Sequence, residues 1–175
     1  LLDAHNIHSY AQTLEWKGTL QYIINDEKVI DSSSQIYGTI INTQTMEHAR
    51  AYALSGCKRI MTIENKANYE DMSYRKDTLY IFCHGFFSPK EVRFLKTICD
   101  LVSEECEFYH WGDLDYGGIC IFQFIKAQVF PKLLPYKMSQ EDFELAVRED
   151  AGILLKEDTR NKLIRKNAGL LEPLK

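Results

Sequence analysis

Three short runs of β-branched and aromatic residues constrain this chain more than any other feature. They are "KRIMTIEN" (58–65), "TLYIFCHG" (78–85) and "EFYHWGD" (107–113). Each is too short for a helix and too apolar for a loop, so each reads as a buried strand. Between the second and third lies "SPKEVRFLKTICDLVS" (88–103). Ser88 is placed as an N-cap, Pro89 at the first helical position and Glu91 to close a capping box, with Val92, Leu95, Ile98, Cys99 and Val102 forming an apolar stripe. Gly118 to about Phe130 is a second helix, apolar nearly all round and so expected to be buried. Strands alternating with helices imply crossover connections and a mostly parallel sheet with helices on both faces.

The remaining segments extend this α/β frame. "LLPYKM" (133–138) supplies a weak fourth strand, Ser139 caps a helix over about 140–150, and a basic helix covers about 159–167. At the front, residues 14–31 read as a β-hairpin, with Trp16, Gly18, Leu20 and Tyr22 leading into the turn Asn25-Asp26-Glu27-Lys28 and Val29-Ile30 returning. Thr43 or Thr45 is expected to cap a helix running to about Leu54, with Gly56 as its stop. The division expected is a hairpin and linker extension over 1–44 and a four-stranded α/β domain with C-terminal helices over 45–175.

At 175 residues the chain can bury a real core. It has no apolar run of 18 residues, so no membrane span is expected. No signal peptide is read at the start, and because Leu1 opens the chain a piece of a longer protein is expected. The five cysteines form no Cys-x-x-Cys pair, which points to a reducing, cytoplasmic setting without disulfides or structural zinc. A net charge of −4 argues against nucleic-acid binding through bulk charge. The charge is uneven, however: residues 156–175 hold six basic and three acidic groups, densest in "RNKLIRK" (160–166). Arg160, Lys162, Arg165 and Lys166 are therefore candidate contacts to a DNA backbone.

Carboxylates close two of the strands. Glu64 ends the first, and Asp113 and Asp115 follow the third. Open parallel sheets bind ligands outside the carboxyl ends of their strands. If these strands are neighbours, three carboxylates converge, and a divalent cation relieves their repulsion. Hard oxygen donors suit Mg²⁺. Gly117 and Gly118 are read as a sharp turn that admits a phosphate near the following helix. His84, after the second strand, and Lys66, beside Glu64, are candidate phosphate contacts, though a strand-end histidine and a solvated lysine are the plainer readings. His110, inside the third strand, reads as structural.

The Glu after "IMTI", the glycine turn in "FCHGFFSP" and the Asp-x-Asp of "HWGDLDYGG" together resemble a Toprim domain, the metal-dependent module of topoisomerases, primases and related nucleases. "GDLDYGG" ahead of an apolar helix is most similar to the Toprim domain of topoisomerase VI A subunits and of JetD-like proteins, the nuclease subunits of Wadjet plasmid-defence systems. The "EWKGTL" segment resembles a Trp-x-Gly stretch ahead of that domain.

The resemblance implies that Glu64, Asp113 and Asp115 bind Mg²⁺ or Mn²⁺ and are catalytic, with Glu64 a ligand or acid-base group. It also implies DNA as substrate, a homodimer and an SMC-like ATPase complex as partner. The topoisomerase branch needs a tyrosine in a winged-helix domain, and no such domain fits this chain, so hydrolysis by water activated on the metal is simpler than transesterification. The sequence has no Walker A motif, so an ATP-driven step belongs to a partner. Two other readings stay open: a degenerate Toprim module that binds DNA or dimerises without chemistry, and a glycosyltransferase that uses Asp-x-Asp but leaves Glu64 idle.

Overall fold

In the computed structural model, residues 12–149 are described. The basic stretch with Arg160, Lys162, Arg165 and Lys166, and the last helix expected from sequence, lie outside them. The order is β1 (Thr13–Lys17), β2 (Gln21–Ile24), β3 (Lys28–Asp31), β4 (Thr39–Asn42), α1 (Thr43–Met46), β5 (Ala49–Ala53), β6 (Arg59–Ile63), α2 (Lys66–Asp71), β7 (Thr78–Phe82), α3 (Pro89–Cys99), β8 (Glu107–Trp111), α4 (Tyr116–Gln128), β9 (Leu134–Pro135) and α5 (Gln140–Arg148).

The main sheet has six strands, not the four read from sequence, in the order β4-β1-β7-β6-β8-β9. The middle of that order is parallel: β6 pairs with β7 and with β8, and β8 with β9. On the other side β1 runs antiparallel to both β7 and β4. The front of the chain therefore supplies two strands of the main sheet, and the expected hairpin is rearranged. Its polar turn is correct. Asn25 and Asp26 both have positive φ, the arrangement of a type I′ turn, and join β2 to β3. β1, however, does not pair with β2. Gly18, at φ +139°, turns the chain out of the sheet, and a side chain there would strike the Thr78 carbonyl at 2.6 Å. The expected helix from Thr43 to Leu54 is likewise replaced. Asn42 caps a single turn, α1, and β5 then pairs with β2 to complete a small antiparallel sheet, β3-β2-β5.

Period-two alternation explains how both faces of the main sheet are covered. On one face Ile60, Leu79, Ile81 and Phe108 join a core with Phe94, Leu95 and Ile98 of α3 and Ile121, Phe122 and Ile125 of α4. Trp16 lies in this core, 1% exposed, stacked on Phe94 at 6.1 Å with its Nε1 donating to Ser32 Oγ. On the other face Met61, Ile63 and Tyr80 meet Tyr69 of α2. Lys17 closes that helix, donating from Nζ to the carbonyls of Tyr69, Glu70 and Met72 at 2.8–3.2 Å. The capping box foreseen at Ser88 and Glu91 forms, as does one at Ser139 and Asp142. No helix among the described residues is long and apolar enough to cross a membrane.

Candidate functional site

The sheet order makes β6 and β8 neighbours in register, Ile63 opposite Trp111, so Glu64 emerges beside the loop that carries Asp113. The ladder continues one step past both strands: the Glu64 N–H donates to the Trp111 carbonyl at 2.9 Å, and the Cys83 N–H to the Ile63 carbonyl at 2.8 Å. This pins the Glu64 backbone between its neighbours. Its side chain turns to the loop, where Oε2 accepts from the Asp113 N–H at 3.3 Å. Burial raises the Glu64 carboxyl above its ordinary value; that backbone donor offsets part of the rise, and the charges of Asp113 and Asp115 add to it. Glu64 is half-buried, whereas Asp113 and Asp115 are exposed.

Asp115 has a second task. Its Oδ1 accepts from the Gly118 N–H at 2.8 Å, which makes it the N-cap of α4. Gly117 and Gly118 are consequently helical rather than a sharp turn, and neither has positive φ. Gly118 is required for a different reason. A Cβ there would lie 2.2 Å from the Asp113 carbonyl oxygen and 2.9 Å from its nitrogen, so α4 is seated directly on the Asp113 backbone. Glu64 and Asp113 are thus brought together by a hydrogen bond, and Asp115 is engaged as the N-cap of α4. Among the described residues, no group of three or more His, Cys, Asp or Glu side chains is placed so as to hold a metal ion. The donor chemistry nonetheless fits a hard divalent cation: three carboxylates, one partly desolvated and raised by the other two.

The other candidates are committed elsewhere. His84 follows β7, and its Nε2 lies 2.8 Å from Glu91 Oε1, whose side chain is fully buried. Contact with Glu91 raises the His84 imidazole. Burial alone would raise Glu91, yet the His84 ring and the Ser88 donors outweigh it and hold the carboxyl low. Burial pushes the Cys83 thiol up to about 12, with the charges of Glu64 and Glu91 adding. Lys66 does not pair with Glu64. Its ammonium meets Glu15 of β1 and sits over the rings of Phe82 and Tyr69 at 4.6 and 5.0 Å. A cleft of about 690 Å³, bordered by Lys58, Arg59, Arg75 and Glu107, opens at the opposite ends of the same strands, away from the carboxylates.

His110, read from the sequence as structural, is a core residue. It is fully buried in β8, its Nδ1 lies 2.8 Å from Thr62 Oγ1, and burial lowers its imidazole to about 4. Counting in twos from Glu64 to Thr62 and across to His110 puts all three on one face of the sheet, a signal that was present in the strand pattern.

Two comparisons with known proteins bear on this arrangement. The family described as "Wadjet protein JetD, C-terminal" matches residues 19–172. A curated relative, "Wadjet protein JetD" of Bacillus cereus (strain Q1), is 37% identical over 91 residues, which is 51% of this chain and 22% of that protein. The chain therefore aligns with about a fifth of that relative's length. Because the family match runs through β2 to α5 and takes in Glu64, Asp113 and Asp115, the chain belongs to the family of JetD C-terminal regions.

Proposed function

We propose that this chain is the DNA-cleaving part of a JetD-like protein, a Toprim-like domain in which Glu64, Asp113 and Asp115 hold Mg²⁺ or Mn²⁺ for phosphodiester hydrolysis. One observation carries the reading: at the carboxyl ends of adjacent parallel strands, a half-buried Glu64 is raised by burial and by the charges of two aspartates. A cation bound there supplies positive charge against the phosphate. Glu64 serves there as a ligand to the cation or as the acid-base group that exchanges a proton with the attacking water. Asp113, exposed and seated under α4, presents its carboxylate outward. Arg160, Lys162, Arg165 and Lys166 contact the DNA backbone. The partners in this reading are DNA, a second copy of the chain and an SMC-like ATPase in a cytoplasmic plasmid-defence complex, in line with the family.

The test is cleavage of supercoiled plasmid in Mn²⁺, with the complex's other subunits supplied. Asp113→Ala should leave the plasmid intact while DNA binding persists, and full activity in that variant refutes the reading. A second reading, a DNA-binding or dimerisation module without chemistry, is favoured by the lack of three donors gathered around one point among the described residues. In that case the wild-type chain binds plasmid and does not cut it.

A further inference from the structure

Two polar side-chain atoms lie close to one point beside Gly112. One is Glu64 Oε2; the other is His110 Nε2, which is fully buried and has no hydrogen-bond partner among the described residues. A Cβ on Gly112 would lie 2.6 Å from Nε2 and 2.8 Å from Oε2, so both atoms flank the same point and are separated by no more than the sum of those distances.

The Thr62 hydroxyl sets the character of Nε2. It donates to the Tyr109 carbonyl at 3.4 Å, which leaves its oxygen to accept from His110 Nδ1 at 2.8 Å. In the tautomer that this pairing suits, the proton resides on Nδ1 and Nε2 presents a bare lone pair. Burial keeps the ring neutral, its value lowered to about 4. A lone pair and a carboxylate oxygen do not bond each other directly. A buried imidazole nitrogen left unpaired also costs free energy. What satisfies both is a small molecule with two donors.

We propose that a water molecule beside Gly112 donates one proton to His110 Nε2 and the other to Glu64 Oε2, and that through it His110 is a positioning residue for Glu64. Two polar partners are the least that a retained buried water needs, and the Phe122 ring lies 6.1 Å from that of His110 on the same side of the sheet. With the Asp113 N–H on the same oxygen, Oε2 is held from two directions. The role assigned to His110 rests on Glu64 acting in DNA cleavage; the water site itself does not.

The test combines two measurements on the whole chain. Histidine-selective ¹⁵N spectra, with His110 assigned by replacing each of the other four histidines in turn, should show Nδ1 protonated and Nε2 bare but hydrogen-bonded at neutral pH. A crystal structure grown in chelator should show one density peak within ~2.7–3.2 Å of both atoms, retained after Mn²⁺ is added and without anomalous signal. His110→Phe, which keeps the bulk and loses the lone pair, should release the Glu64 carboxylate into more than one conformer. If that variant fails to fold, the wild-type spectra and map still decide. A proton on Nε2, no density between the atoms, or a Mn²⁺ peak there overturns the inference. The water in place in a chain that cuts no DNA sinks the nuclease reading alone. Cleavage with the site dry sinks this inference alone.

Discussion

Gly117 and Gly118 are adjacent, chemically identical and in the same first turn of α4, yet replacing each by alanine should have opposite effects. A methyl group on Gly118 would sit 2.2 Å from the Asp113 carbonyl oxygen and within 3.0 Å of the Asp113 N and C atoms. That is more than ~1 Å inside a comfortable contact of about 3.5 Å, and all three atoms are backbone. Overpacking of this kind costs about 1–3 kcal/mol, and lifting the helix also weakens the Asp115 cap, worth about 1 kcal/mol. Alanine's advantage over glycine within a helix returns only about 0.5–1 kcal/mol. The net loss for Gly118→Ala is thus about 1–3 kcal/mol, or roughly 3–10 °C in melting temperature for a chain of this size. A methyl on Gly117 would meet only Asp115 Oδ1, at 3.2 Å. Helix preference then prevails, and Gly117→Ala should match or exceed the wild type. Thermal scans and urea titrations of the two variants decide it. Equal stability would show that α4 is not seated on the Asp113 backbone.

Glu91→Gln should destabilise the chain most between about pH 4.5 and 6.5. Glu91, held low, contributes stability that is present above its ordinary 4.5 and lost as pH falls through its folded value. His84, held high, contributes stability that is full below 6.5 and lost as pH rises through its folded value. Both describe one bond, so a wild-type-minus-variant difference that is flat with pH would contradict the pairing. Glu64 has the opposite sign: its carboxyl is raised, so wild-type stability should fall as pH climbs from 4.5 through the folded value. In chelator at neutral pH, Glu64→Gln should therefore have a higher urea midpoint than the wild type, and a lower one would count against the strained carboxylate.

The parallel half of the fold was legible because its signals are local. The β6, β7 and β8 runs, the Ser88 and Ser139 caps and the apolar α4 depend on residues a few positions apart. What escaped depends on distant partners. "ARAYA" has helical propensity, but β5 is drawn onto the free edge of β2, and the Ala51 N–H finds Thr97 Oγ1 46 residues away. β1 has hairpin alternation, yet it inserts between β4 and β7 because Trp16 is buried against Phe94. The strand-end carboxylates could be read from the sequence. That Asp115 caps a helix, that His84 belongs to Glu91 and that Lys66 belongs to Glu15 required the side chains in place.

The function proposed requires the carboxylates after β6 and β8 to hold one divalent cation. The most direct measurement of this is a Mn²⁺ titration followed by the electron paramagnetic resonance signal of the free ion, on the wild type and on Glu64→Gln and Asp113→Asn, with and without DNA. One saturable site in the wild type, lost in both variants while their folds persist, is the predicted result. Undiminished binding in Asp113→Asn, or no site in the wild type even with DNA present, would contradict it.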